Sequence, residues 1–191
     1  MFKKLLAGMM VAAVALTAVP AVSYAATSPS SSVEVEAGQT EKVTQSNGIK
    51  PTVTTTEKGN VVVSEIAKTS KTTIAIAATV KVDGVTCEVK RLEGDIFANC
   101  TNVKKVSLPA TINQIAEKTF SSVQPTATIT LASKTAPKIN RAAFAGVDTK
   151  KMKITTSNMT KKQITVLAKR LKNAGFKGKV NGKTIAQLLK K

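Results

Sequence analysis

The stretch Phe97-Ala98-Asn99-Cys100-Thr101-Asn102-Val103-Lys104-Lys105-Val106-Ser107-Leu108-Pro109 governs the reading of this chain, because its pattern returns further on. Phenylalanine recurs at Phe120 and Phe144, 23 and then 24 residues along. Leu92, Ile115 and Ile139 each stand five residues before a Phe, and Cys100, Val123 and Val147 three after it. Val106-Ser107-Leu108 and Ile129-Thr130-Leu131 each begin nine residues after a Phe; Ile154-Thr155-Thr156 begins ten after, one out of step. A period in the low twenties leaves room for one short strand and a return segment, a unit too small to bury its own apolar face, so units must stack. The alternating pieces 103–108 and 128–131 are expected as successive strands of a parallel ladder, with 112–115 as a second short strand. Each Phe sits in the return turn, its ring pinned inside the stack. Cys100, in register with Val123 and Val147, reads as a small apolar filler rather than a reactive thiol, since no imidazole is present to lower its pKa.

The run Asn99 to Pro109, then Thr111-Ile112-Asn113-Gln114-Ile115-Ala116-Glu117-Lys118-Thr119-Phe120, and on through Arg141-Ala142-Ala143-Phe144, resembles the BspA-like bacterial type of leucine-rich repeat. The segment 74–89 with its Asp83-Gly84 turn is similar to the piece that commonly precedes the first full repeat, so the resemblance covers 72–180. It implies an extracellular protein with a role in adhesion or protein binding. Together with the period it gives an α+β fold class: a short leucine-rich-repeat-like β-solenoid of about three 23–24-residue repeats, with N-terminal β-hairpins and a C-terminal capping helix. After Phe120 the sequence departs from the pattern. Gln124-Pro125-Thr126-Ala127 replaces the expected loop and Ala132 stands where Pro109 was, which makes the third unit degenerate.

On either side of the repeats the composition changes. Residues 1–25 read as a secretory signal: Lys3 and Lys4, an uncharged apolar run from Leu5 to Val19, then Pro20 and the small residues around Ala25. That run is short for a membrane span, so no span is expected in the mature form. Residues 26–50, rich in Ser and Thr, read as a flexible lead-in. Residues 51–91 read as a hairpin cap, with one hairpin turning at Gly59-Asn60 and a second at Asp83-Gly84, a pair that supplies the positive φ angles of a primed turn. The solenoid takes 92–156, and 157–191 form a basic helical cap. In that cap Thr160 opens a helix with Ile164, Leu167, Ala168 and Leu171 on one face, and Gly175 ends it; Ile185 to Leu189 form a last short helix.

Charge and residue usage bound the function. The chain carries 29 Lys+Arg against 11 Asp+Glu, a net charge of +18 that falls to +16 without Lys3 and Lys4. Thirteen of the basic residues lie between Lys150 and Lys191, a stretch with no acid at all. Such a field favours anionic polymers, and outside a cell these are more often wall polymers, acidic glycans or lipid surfaces than nucleic acid, so the partner is expected to be an extracellular protein or an anionic glycan or wall polymer. Histidine is absent, which removes the usual general base and the commonest metal ligand. Cys87 and Cys100 are the only cysteines, no metal-ligand spacing appears, and no cofactor is expected. A secreted, non-enzymatic binding or adhesion module is therefore expected. Its sheet-face candidates are Lys104, Lys105, Ser107, Thr128, Thr130, Lys153 and Thr155, and its helix-face candidates Lys161, Lys162, Lys169, Arg170 and Lys172. The rivals are a hydrolase whose carboxylates converge from Glu65, Asp95 and Glu117, and a spacer acting only through its charge. Nucleic acid is not expected, since Phe176 is the sole aromatic among these charges and single-strand platforms interleave several. Oligomeric state is left open.

Overall fold

Two-residue alternation in the sequence becomes two ladders of short strands in the computed structural model, which describes residues 35–190. Strand β1 (Thr40–Lys42) pairs antiparallel with β2 (Pro51–Thr56), and β2 with β3 (Asn60–Ile66), the first expected hairpin. The chain then crosses to a second sheet at β4 (Thr73–Ala75) and returns in the second expected hairpin, β5 (Thr79–Val82) and β6 (Val85–Leu92). Asp83 and Gly84 take φ of 49° and 82° at its turn, the pair of positive angles such a tight connection requires. From there the chain alternates between the sheets through β7 (Lys105–Leu108), β8 (Gln114–Ile115), β9 (Thr128–Leu131), β10 (Lys138–Ile139) and β11 (Lys153–Thr156). Helix α1 (Lys161–Asn173), β12 (Lys179–Val180), β13 (Lys183–Thr184) and α2 (Ile185–Leu189) complete it.

In the first sheet β3, β6, β8 and β10 are parallel neighbours; in the second β4, β7, β9, β11 and β12 are. The parallel pairing therefore starts ahead of position 92 and runs on past 156, to Val180. Ile74, Val106, Ile129, Ile154 and Val180 stand directly opposite one another across the second sheet, each at most 2% exposed. The one-residue slip between Phe144 and Ile154 does not reach the ladder, where Ile129 faces Ile154 with no shift. The extra residue is absorbed in the preceding turn, where Thr149 and Met152 are buried. The degenerate third unit likewise keeps its place: Gln124 donates through its backbone N–H to the Val103 carbonyl and through its side chain to that of Thr101.

Phe97, Phe120 and Phe144 are buried in one column, with ring centroids 6.1 and 5.1 Å apart and planes within 20°. Phe176 is the fourth ring of that column, 5.2 Å from Phe144 and tilted by 51°. Its distance in sequence hides this, because α1 intervenes. After β11 the chain makes a 13-residue helix, about 20 Å long, where β8 and β10, two residues each, precede the turns of Phe120 and Phe144. The helix lies beside β10's approach: Gln163 accepts from the Ala136 N–H, and Arg170 donates to the Ala136 carbonyl. Thr160 caps it by accepting from the Gln163 N–H, Leu167, Ala168 and Leu171 are buried, Ile164 is half-buried, and Gly175 follows at φ 73°.

The segment 26–50 departs from expectation where it is described. Rather than hanging free, it contributes β1, buries Val43 and Ile49, and lays polar side chains against the outer edge of β4. Asn47 donates to the Ala75 carbonyl and Gln45 accepts from the Ala77 N–H. An edge strand presents peptide groups that need partners, and a polar, sparsely apolar segment can supply them without a periodic pattern of its own. The signal reading, and residues 26–34, lie outside the described residues. Among the described residues no helix is long and apolar enough to cross a membrane.

Replacing Phe176 by Ala should destabilise the chain by about 3–5 kcal/mol in chemical denaturation, the same loss expected for Phe120→Ala, although Phe176 stands off the period. A loss below about 1 kcal/mol at Phe176, with a large loss at Phe120, would place it outside the column.

Candidate binding surface

The outward side chains of the second sheet form rows, because strand register carries each position to its counterpart on the next strand. Lys105 faces Thr128, Thr128 faces Lys153, and Lys153 faces Lys179. One step along, Ser107 faces Thr130 and Thr130 faces Thr155, with the last two hydroxyls 2.9 Å apart. Lys105, Lys153 and Thr155 are exposed, while Ser107, Thr128 and Thr130 are half-buried beneath their neighbours. Six of the seven sheet-face residues singled out in the sequence thus meet in two rows. Lys104 falls just before β7, exposed, with its N–H bonded to the Thr72 carbonyl. Lys179 was missed: it follows Phe176 by three residues, where the repeat places its strand nine after, so no spacing marks it.

On α1, Lys161, Lys162, Lys169 and Lys172 are exposed as the helical period requires. Arg170 is not part of that surface. It is half-buried, with Nη1 donating to the Ala136 carbonyl, because a long side chain at the border of the apolar face reaches back over it. Arg170 and Lys172 also sit in the last turn, where positive charge is favoured by the helix dipole. Among the described residues the ion pairs are Lys90 with Glu88 and Arg91 with Glu93, all on or next to β6. None of these pairs takes in a cation of the sheet face or of α1.

The carboxylates proposed for hydrolysis have separate partners. Glu65 accepts from Asn99 at 2.8 Å and from Thr52 at 3.4 Å, Asp95 accepts from Ser122 at 2.5 Å, and Glu117 is exposed. Among the described residues no group of three or more His, Cys, Asp or Glu is placed to hold a metal ion. Cys87 and Cys100 are unbridged and fully buried, and burial pushes both thiols up from the usual range; at Cys100 a backbone hydrogen bond at Thr69 pulls weakly the other way. A thiol whose folded pKa is raised contributes stability below its ordinary pKa that is lost as pH rises through the raised value.

Two outcomes follow. Arg170→Ala should lower stability by about 1.5–3 kcal/mol, the range for a hydrogen bond to a charged group, while Lys161→Gln, Lys162→Gln, Lys169→Gln and Lys172→Gln each change it by about 0.5 kcal/mol or less. Denaturant titration of the five variants separates them; an Arg170→Ala change no larger than the lysine changes would leave the Ala136 contact without weight. Alkylation followed by mass spectrometry should find Cys87 and Cys100 unmodified in the native chain and both modified in denaturant, whereas native labelling of either would contradict its burial.

Compared with known proteins, the chain matches the description "BspA type Leucine rich repeat region (6 copies)" over residues 85–183. No curated protein matches it. Among solved structures it is similar to a leucine rich cell surface protein from Faecalibacterium prausnitzii A2-165, at 17% identity and a TM-score of 0.46, over 62% of this chain and 31% of that one. The chain thus spans less than a third of that protein's length. The family match takes in more than half of the 191 residues, from the start of β6 to the start of β13, and the chain belongs to the BspA type leucine rich repeat family.

Proposed function

We propose that this chain is a secreted, non-enzymatic binding module, a short solenoid that presents the outward face of its second sheet and its basic end to an acidic partner at a cell or host surface. The observation that carries this is that no strand of the second sheet contains an acidic residue, from β4 through β13, while lysines stand in its outward rows. A surface of one sign, held on a regular ladder, attracts polyanions and the acidic patches of proteins, and repels basic ones. Catalysis has little support: the chain contains no histidine, and Glu65, Asp95 and Glu117 do not share a partner. The partner class is an extracellular protein or an anionic glycan or wall polymer. Nucleic acid fits less well, because Phe176, the aromatic of the basic end, is buried in the column and offers no face for a base.

The mature chain probed on an array of glycans and proteins at two salt concentrations tests this. Retention on acidic glycans or acidic proteins is expected at about 0.1 M salt and should largely vanish at about 0.5 M, as screened contacts between exposed charges do, with no retention on neutral glycans. A chain that binds nothing acidic at the lower salt is a spacer, and turnover of an arrayed glycan would make it an enzyme.

A further inference from the structure

We propose that Lys150, Lys151, Lys153 and Lys179 form one groove that binds a linear polyanion laid across the end of the second sheet. This rests on the reading of that sheet as a binding face and moves the principal contact away from α1. The four lysines come from segments about 26 residues apart and are all exposed; with Thr126 and Met152 they line a single open groove. Their meeting depends on β12 closing against β11. The Lys177 N–H bonds to Thr149 Oγ1 at 2.9 Å and the Lys179 N–H to the Met152 carbonyl at 3.1 Å. Between them lies Gly178, where a Cβ would come within 2.2 Å of the Met152 oxygen and 2.7 Å of the Thr149 oxygen, so only glycine permits the approach.

Lys153 and Lys179 are direct ladder partners, at the strand spacing of about 4.8 Å, and like charges placed opposite one another repel. Among the described residues neither is in an ion pair. Between Lys118 and Lys191 the one acidic residue is Asp148, and its carboxylate accepts the Lys150 backbone N–H at 3.1 Å. The fold therefore concentrates positive charge at a place where it costs stability, and an anion is the group that reverses that cost. The occupant is a chain rather than a single ion. Each lysine is exposed, so each holds a lone anion only weakly in water. A polymer with a charge every few ångströms contacts several at once and releases counterions along its length, and Lys105, two strands away from Lys153 at about 10 Å, continues the row. Exposed aromatics are absent from the groove lining, which favours a sulfated glycan or a phosphodiester wall polymer over single-stranded nucleic acid.

The test compares two charge-matched variants of the mature chain. In one, Lys150, Lys151, Lys153 and Lys179 are changed to Gln; in the other, Lys161, Lys162, Lys169 and Lys172 are. The probes are a chondroitin sulfate oligosaccharide, a poly(glycerol phosphate) chain, a single-stranded oligonucleotide of equal charge and inorganic sulfate, each titrated over a range of salt. The groove variant should lose about tenfold or more in affinity for one or both polymers, with a shallower dependence of log Kd on log salt, and the α1 variant less than about threefold. Inorganic sulfate should bind neither protein measurably. Thermal unfolding of the free groove variant should occur at the same temperature as the original or higher, since repulsion has been removed; the polymer, which raises Tm of the original, should no longer do so. Equal losses in both variants would overturn the groove, leaving only net charge. So would tighter binding of the oligonucleotide than of either polymer. An original chain that binds the polymers, with a groove variant that binds them as well, sinks this inference alone; an original that binds none sinks the functional reading with it.

Discussion

Four phenylalanine rings, stacked at 5–6 Å from Phe97 through Phe120 and Phe144 to Phe176, are the contact on which the remaining structure depends. Burying one such ring contributes about 1.5–3 kcal/mol, and a neighbouring ring in an offset or tilted arrangement adds about 0.5–1.5 kcal/mol. More important is what the column aligns. Each ring belongs to the turn that leads toward the second sheet, so fixing ring on ring fixes turn on turn, and the strands that follow are delivered in register. The outward rows of Lys and Thr are the far consequence of that inner alignment. No unit could hold its strand in place alone, because a segment of some two dozen residues has no second layer to bury against except the next unit.

A stack of this kind has two ends, and the chain closes them by different chemistry. At the start, Gln45 and Asn47 bond the peptide groups near β4, while Val43 and Ile49 cover apolar surface. At the finish, α1 lies next to the approach to β10, and the hairpin of β12 and β13 turns at Asn181 and Gly182, both with positive φ. β13 is two residues long and begins with an exposed lysine, which discourages a further strand from adding to the sheet there.

Much of the fold was legible because the repeat puts the same residue type in the same environment several times. Phe97, Phe120 and Phe144, the inward Val and Ile of each strand, the Asp83-Gly84 turn and the helix cap at Thr160 all announce themselves through spacing or turn chemistry. What escaped notice has a physical cause in each case. Phe176 joins the column after a helix whose length breaks the period. The capping role of 43–50 depends on side-chain hydrogen bonds to an edge, which leave no periodic trace. Arg170 falls on the polar side of a helical wheel, but a wheel records where a Cα sits and not how far a long side chain reaches. In the candidate binding surface, the concentration of lysine near the C-terminus was plain from counting. The adjacency of Lys153 and Lys179 was not, because it is created by the close approach at Gly178.

That adjacency bears on how a surface of separate, solvated lysines can recognise anything. An exposed ammonium facing one anion in water contributes little, about 0–1 kcal/mol, and pays side-chain entropy to do so. Specificity from such groups must come from their number and from a fixed geometry between them. The aromatic column and the uninterrupted ladder supply the geometry: lysines on neighbouring strands are held by backbone pairing at a set distance, and they do not need to be organised by the ligand. The number comes from the absence of acids on the second sheet, which lets every cation act outward. A partner matched to this arrangement carries repeated negative charge over a length comparable to several strand spacings. On the proposed reading a small anion touches too few of these lysines to be retained, and a polymer that lies across the strands meets them in sequence.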